Sequence, residues 1–123
     1  MPNHSVLIVD DEHQITELIA SVLEDCGYQT NCLNGGAPAI ELLKTTEYDL
    51  LICDLHMPGT NGRDVIEWTR SNRSRIRILL LSGDIVPKDT SEFARTCGVH
   101  FLSKPFSISE LLKAVQNLSS ELS

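Results

Sequence analysis

The chain has 123 residues, 41% of them hydrophobic and 22% charged, enough for one globular domain with its own core and too few for two of ordinary size. Seventeen acidic against ten basic residues give a formal net charge of -7, the wrong sign for a protein that grips phosphate backbones by counterion release, so direct nucleic-acid binding is not expected. The longest apolar run, Ile78 to Leu81, falls far short of a membrane span. Together with an N-terminus that lacks a basic, apolar signal pattern, this reads as a soluble, unexported, cytoplasmic chain with 1–123 as a single domain.

Short β-type apolar runs alternate five times with segments of helical period, the mark of a parallel sheet with crossover helices. Val6 to Val9 forms the first strand, and Ile15, Leu18, Ile19, Val22, Leu23 and Cys26 make the stripe of the first helix, closed by Gly27 in a left-handed cap. The second strand, Gln29 to Leu33, is half polar and suits a sheet edge. After Gly35-Gly36 a helix starts near Pro38 and carries Ile40, Leu42 and Leu43 to about Thr46. Leu50 to Cys53 is a buried central strand, and His56 to Gly62 is turn chemistry throughout, an exposed loop before the helix of Val65, Ile66 and Trp68. Ile76 to Leu81 gives the fourth strand. A weakly apolar helix then presents Phe93, Ala94 and Cys97 inward, Val99 to Leu102 gives the fifth strand, and Ile108, Leu111, Leu112, Val115 and Leu118 mark an amphipathic last helix that frays from Asn117.

Cys26, Cys32, Cys53 and Cys97 show no metal or redox spacing and read as four buried-type thiols of a reducing compartment. His4, His13, His56 and His100 likewise have no ligand spacing.

Open parallel sheets bind ligands beyond the carboxyl ends of their strands. Standing there are Asp10, Asp11 and Glu12 after the first strand, Asp54 after the third, Ser82 after the fourth, and Lys104-Pro105 after the fifth. Singly, each is an ordinary helix-start, turn or surface residue. Together they are a reaction site, because crowded carboxylates cannot all ionise freely and a hard divalent cation, Mg²⁺, resolves the conflict through oxygen ligands. Phosphoryl transfer needs a nucleophile, a metal and further donors, roles that Asp54, Mg²⁺, and Ser82 with Lys104 fill.

The strings VLIVDDE (6 to 12), LLICDLHMPGTNG (50 to 62), LLLLSGD (78 to 84) and FLSKPF (101 to 106) resemble the receiver domain of two-component response regulators. That resemblance implies an α/β, doubly wound, five-stranded parallel sheet in the order 2-1-3-4-5 with five helices, the flavodoxin-like receiver fold. It makes Asp54 the phosphoacceptor, Asp11 and Asp54 direct Mg²⁺ ligands, Asp10 a ligand mainly through water, and His56 a ligand through its backbone carbonyl. Ser82 takes the place of the phosphoryl-binding hydroxyl, Lys104 of the ion-pairing lysine, Lys104-Pro105 of a cis bond, and Phe101 of the aromatic switch. The implied partners are a histidine kinase or histidine phosphotransfer protein and a downstream protein target, reached through the face of helix four, strand five and helix five. A receiver phosphorylates and dephosphorylates itself and is not a turnover enzyme. Asp84, two residues after Ser82, flanks the site where phosphoryl lifetimes are tuned. The LSGD string leans toward the receiver of a hybrid histidine kinase over a free-standing regulator.

Two rivals make different demands. A haloacid-dehalogenase-type phosphatase puts its nucleophile after strand one with a second Asp two residues on, where this chain has His56. A degenerate receiver serving only as a binding module would lack one of the site residues, and none is missing.

Overall fold

β-Branched and leucine-rich runs become strands, and the segments of helical period between them become crossovers. In the computed structural model, which describes residues 4–57, 59, 61–83 and 88–120 (of 88–91 the backbone only), the elements are β1 (Ser5–Val9), α1 (His13–Asp25), β2 (Gln29–Leu33), α2 (Gly36–Thr45), β3 (Leu50–Asp54), α3 (Gly62–Asn72), β4 (Arg77–Ser82), α4 (Lys88–Cys97), β5 (His100–Ser103) and α5 (Ile108–Ser120). The sheet is parallel throughout, in the order β2-β1-β3-β4-β5.

Strand alternation divides the core in two. Leu7, Val9, Leu51, Cys53, Ile78 and Leu80 face α2, α3 and α4, meeting Ala39, Leu43, Val65, Ile66, Phe93 and Ala94. Val6, Ile8, Leu50, Ile52, Leu79 and Leu81 face α1 and α5, meeting Ile19, Leu23, Leu111, Val115 and Leu118. Each such Leu or Ile buried completely contributes roughly 1.5–3 kcal/mol, so the three central strands, covered on both faces, form a stiff platform. The half-polar β2 lies at one edge, as its composition requires.

Local signals set the helix ends. Gly27, at φ 95°, follows α1 in the left-handed region that other residues avoid. Asn61 Oδ1 accepts the Asp64 amide at 3.1 Å to start α3. Ser107 and Glu110 form a reciprocal capping box on α5: Ser107 Oγ accepts from the Glu110 amide at 3.0 Å and Glu110 Oε1 from the Ser107 amide at 2.8 Å.

Several expectations need correction. The broad stripe of α1 overstates its buried face, since Leu18 is 41% exposed and Cys26 is also exposed; only Thr16, Ile19 and Leu23 are fully covered. Ile108 is 50% exposed because it opens α5 beyond the sheet it packs on. The end of α5 does not fray from Asn117: Leu118 is buried, Tyr28 Oη lies 2.7 Å from Ser119 Oγ, and the helix continues to Ser120. Of the four thiols Cys53 alone is buried; Cys97 is half-buried, and Cys26 and Cys32 are exposed. The loop after β3 is not uniformly exposed, because Leu55 and Met57 turn into the core while His56 stays out. The second helix begins at Gly36, two residues before Pro38, and β4 and β5 each start one residue later than their apolar runs. Asp84 lies outside the described residues.

Candidate functional site

Sheet register brings the ends of four strands to one level. Val9 lies opposite Cys53, so the residues that follow, Asp10 and Asp54, stand side by side across the β1–β3 junction; Ser82 ends β4 one step beyond the partner of Asp54. Since β2 lies on the other side of β1, the winding direction reverses between β1 and β3, which is where doubly wound sheets bind ligands.

Asp10 is wholly buried. Its amide donates to the Leu33 carbonyl at 3.1 Å, its Oδ1 accepts the Glu12 amide at 2.9 Å, and its Oδ2 is 2.8 Å from Lys104 Nζ. Asp54, the last residue of β3, is 5% exposed and its Oδ1 is 3.4 Å from the same ammonium. Lys104 is positioned from behind, its amide donating to the Ser82 carbonyl at 2.6 Å, and the Lys104–Pro105 bond is cis. Asp11 is exposed, yet Asp10, Asp11 and Asp54 each offer an oxygen within 4.8 Å of the others'.

Charge does not balance here. Burial, then repulsion from Asp10, pushes the Asp54 carboxyl up to about 6, while Lys104 opposes the rise. Asp10 is also raised, by burial above all, and Lys104 is raised because its carboxylate contacts outweigh its own desolvation. Among the described residues one ammonium serves Asp10 and Asp54, carboxylates that water reaches poorly, which is the state a divalent cation relieves. The donor set, oxygens from three aspartates with no Cys or His, fits a hard cation and could hold one.

Ser82 contributes a second unfilled valence. Its hydroxyl is buried and has no hydrogen-bond partner among the described residues, although a buried hydroxyl is normally paired. A cavity of about 440 Å³ opens over the group, lined by Glu12, Asp54, His56, Gly83, Lys104 and Pro105, with Ile15 on its wall. Phe101 stands on β5, 40% exposed, beside a separate groove with Ala94, Gly98 and Val99. Beneath the site Cys53 is inert, since burial and the adjacent aspartates push its thiol far up.

The structure thus brings together Asp10, Asp11, Asp54 and Lys104, with Ser82 and His56 at the margin and Phe101 apart. Two contributors have no individual role in the sequence reading. Glu12 occupies the N-cap position of α1 yet makes no side-chain cap, its Oε1 instead lying 3.0 Å from Lys104 Nζ. Gly62 reads as a turn glycine, but its place is set by close approach: a Cβ there would stand 1.9 Å from the Asp54 carbonyl oxygen and 2.7 Å from Leu55 Cα. Its amide donates to the Leu55 carbonyl at 3.0 Å, pinning α3 to the end of β3.

These features define a class: a doubly wound α/β unit with carboxylates, a hydroxyl and an ammonium gathered at its topological switch point. A family profile described as the response regulator receiver domain matches residues 6–116, and the chain belongs to that family, whose members act in two-component phosphorelay signalling. Among curated relatives, it is 32% identical over 114 residues to the response regulator SaeR of Staphylococcus aureus, covering 92% of this chain and 49% of SaeR. It is 29% identical over 118 residues to the sensory/regulatory protein RpfC of Xanthomonas campestris pv. campestris, covering 92% of this chain and 16% of RpfC. The chain therefore spans about half the length of the one and a sixth of the other. Among solved structures, a Francisella response-regulator receiver domain superposes with a TM-score of 0.88 at 28% identity, covering 98% of this chain and all of that one. The receiver domain of a histidine kinase from Syntrophus aciditrophicus gives 0.85 at 29% identity, covering 97% and 92%. Asp54 ends the third strand, whereas the phosphatase family places its nucleophile after the first. No helix among the described residues is long and apolar enough to cross a membrane.

Proposed function

We propose that Asp54 accepts a phosphoryl group from a phosphohistidine on a histidine kinase or phosphotransfer protein. An Asp54 carboxylate oxygen forms the new O–P bond, the donor's P–N bond breaks, and the imidazole leaves with the electron pair and takes a proton. The observation that carries this reading is the convergence of Asp10, Asp11 and Asp54 around a cation-sized gap with Lys104 against it.

Asp11, Asp54 and the His56 backbone carbonyl would hold Mg²⁺ directly and Asp10 mainly through water; bound there, the metal supplies positive charge for the non-bridging phosphoryl oxygens. Lys104 offers N–H donors to the same group, and Ser82, unpaired at rest, turns its hydroxyl to another oxygen. Phe101, at the surface before phosphorylation, packs inward once Ser82 has moved, remodelling the face of α4, β5 and α5 for a downstream protein target. An apolar approach for the donor is offered by Ile15 and Pro105 on the cavity wall and by exposed Leu18, one turn from Ile15 on α1. The domain is a cytoplasmic signalling phosphoacceptor without turnover of an external substrate.

Intact-mass measurement after incubation with acetyl phosphate tests this. One phosphoryl adduct is expected with Mg²⁺, and none with chelator or in Asp54→Ala. An adduct that persists in Asp54→Ala would refute the assignment.

A further inference from the structure

We propose that Glu12 is a positioning residue for Lys104, a displaceable counter-ion that competes with the incoming phosphoryl group; this rests on the phosphoacceptor role of Asp54. An ammonium has three N–H donors. Lys104 already has three carboxylates in reach: Asp10 Oδ2 at 2.8 Å, Glu12 Oε1 at 3.0 Å and Asp54 Oδ1 at 3.4 Å. A phosphoryl group on Asp54 brings three further oxygens, so one existing contact must yield.

Burial decides which. Asp10 is fully buried, and its other oxygen is already committed to the Glu12 amide, so losing Lys104 would strand a charge away from water. Asp54 carries the new group and stays beside the lysine. The Glu12 side chain is 62% exposed and returns to water at little cost. Glu12 also lines the mouth of the cavity, where its negative charge repels an anionic donor. Both effects have the same sign, since removing the charge frees a Lys104 donor and lowers the repulsion. Among the described residues the Glu12 backbone, not its side chain, serves Asp10 and the start of α1.

The test uses Glu12→Gln, which keeps the shape, with Glu17→Gln as a control that removes one charge from the exposed side of α1 where it pairs with His13. Acetyl phosphate is the donor: its O–P bond breaks, acetate leaves with the electron pair, and the Asp54 O–P bond forms. At saturating Mg²⁺, sub-saturating donor and low ionic strength, Glu12→Gln is expected to phosphorylate about three- to tenfold faster than wild type, with Glu17→Gln near wild type. The concentration of beryllium fluoride giving a half-maximal thermal shift is expected to fall by a similar factor. Because the Glu12 carboxylate reaches solvent, the gap narrows as salt rises toward about 0.5 M, a dependence that a merely structural change would not produce. Wild-type uptake with Glu12→Gln no faster, or a gap indifferent to salt, overturns the inference alone. A wild-type chain that takes up no phosphoryl group overturns the phosphoacceptor reading and this inference with it.

Discussion

At the amino ends of the strands, Asp49 Oδ2 accepts the Ser5 amide at 2.9 Å and lies 3.4 Å from its hydroxyl, beside a cavity of about 730 Å³ that Arg75 and Arg77 also line. At the carboxyl ends Asp54 has, among the described residues, a single cation at 3.4 Å, shared with Asp10 and Glu12, and the cavity above it is about 440 Å³. A carboxylate that holds a fold together is supplied with donors by its own neighbours. One kept for chemistry is surrounded by fewer donors than charges, and stays unfavourable until a ligand completes it. Cavity size does not mark the site; the larger hollow lies at the end where the charges are mixed and the carboxylate is paired.

Substitutions at the two ends should therefore differ in sign as well as size. The largest loss is expected for Gly62→Ala, about 3 kcal/mol of unfolding free energy by urea titration, because a Cβ cannot coexist with the Asp54 carbonyl and α3 must lift off β3. An unchanged midpoint would mean that α3 is not pinned there.

Asp54→Asn should do the reverse and stabilise the metal-free protein by about 2 kcal/mol near neutral pH. The Asp54 carboxyl stands at about 6 in the folded chain against 3.8 in the unfolded one, so the folded state binds the extra proton between those values. Wild-type stability from this group accordingly falls as pH rises through that window and stays low above it. The advantage of Asn is expected to be near zero below about pH 4 and full above about pH 6, measured in chelator. A flat difference across that range would remove the argument from burial.

Asp49→Ala should be the smallest change, a loss of about 1 kcal/mol with no dependence on Mg²⁺, since it frees the Ser5 amide and hydroxyl at the edge of solvent. Sensitivity to Mg²⁺ would show that the two ends are coupled.

The chain itself revealed the site's Asp10, Asp11, Asp54, Ser82 and Lys104 because each follows an apolar run, and a parallel sheet carries every such position to the same edge. Strand order could be inferred in part from the polarity of Gln29 to Leu33. Glu12 stands at the same edge, but its pairing with Lys104 was hidden for a different reason: the partner lies 92 residues away, and its position before α1 gives it an adequate local explanation as a helix-start acid. Gly62 was masked by a loop already rich in turn residues, since only the distance between α3 and β3 separates a turn glycine from one that has no room for a Cβ. Leu18 and Ile108 fit the helical period but not the packing, because periodicity marks an apolar stripe and not how much of it a neighbour covers.

If the carboxylate group at the β1–β3 junction is under-neutralised, a divalent cation should resolve it. Unfolding free energy at about pH 7.5, with Mg²⁺ and with chelator, for wild type and Asp54→Asn tests it most directly. Wild type should gain stability with rising Mg²⁺ by mass action, while Asp54→Asn starts higher in chelator and gains less. A wild type indifferent to Mg²⁺, with Asp54→Asn the less stable of the two in chelator, would contradict the account.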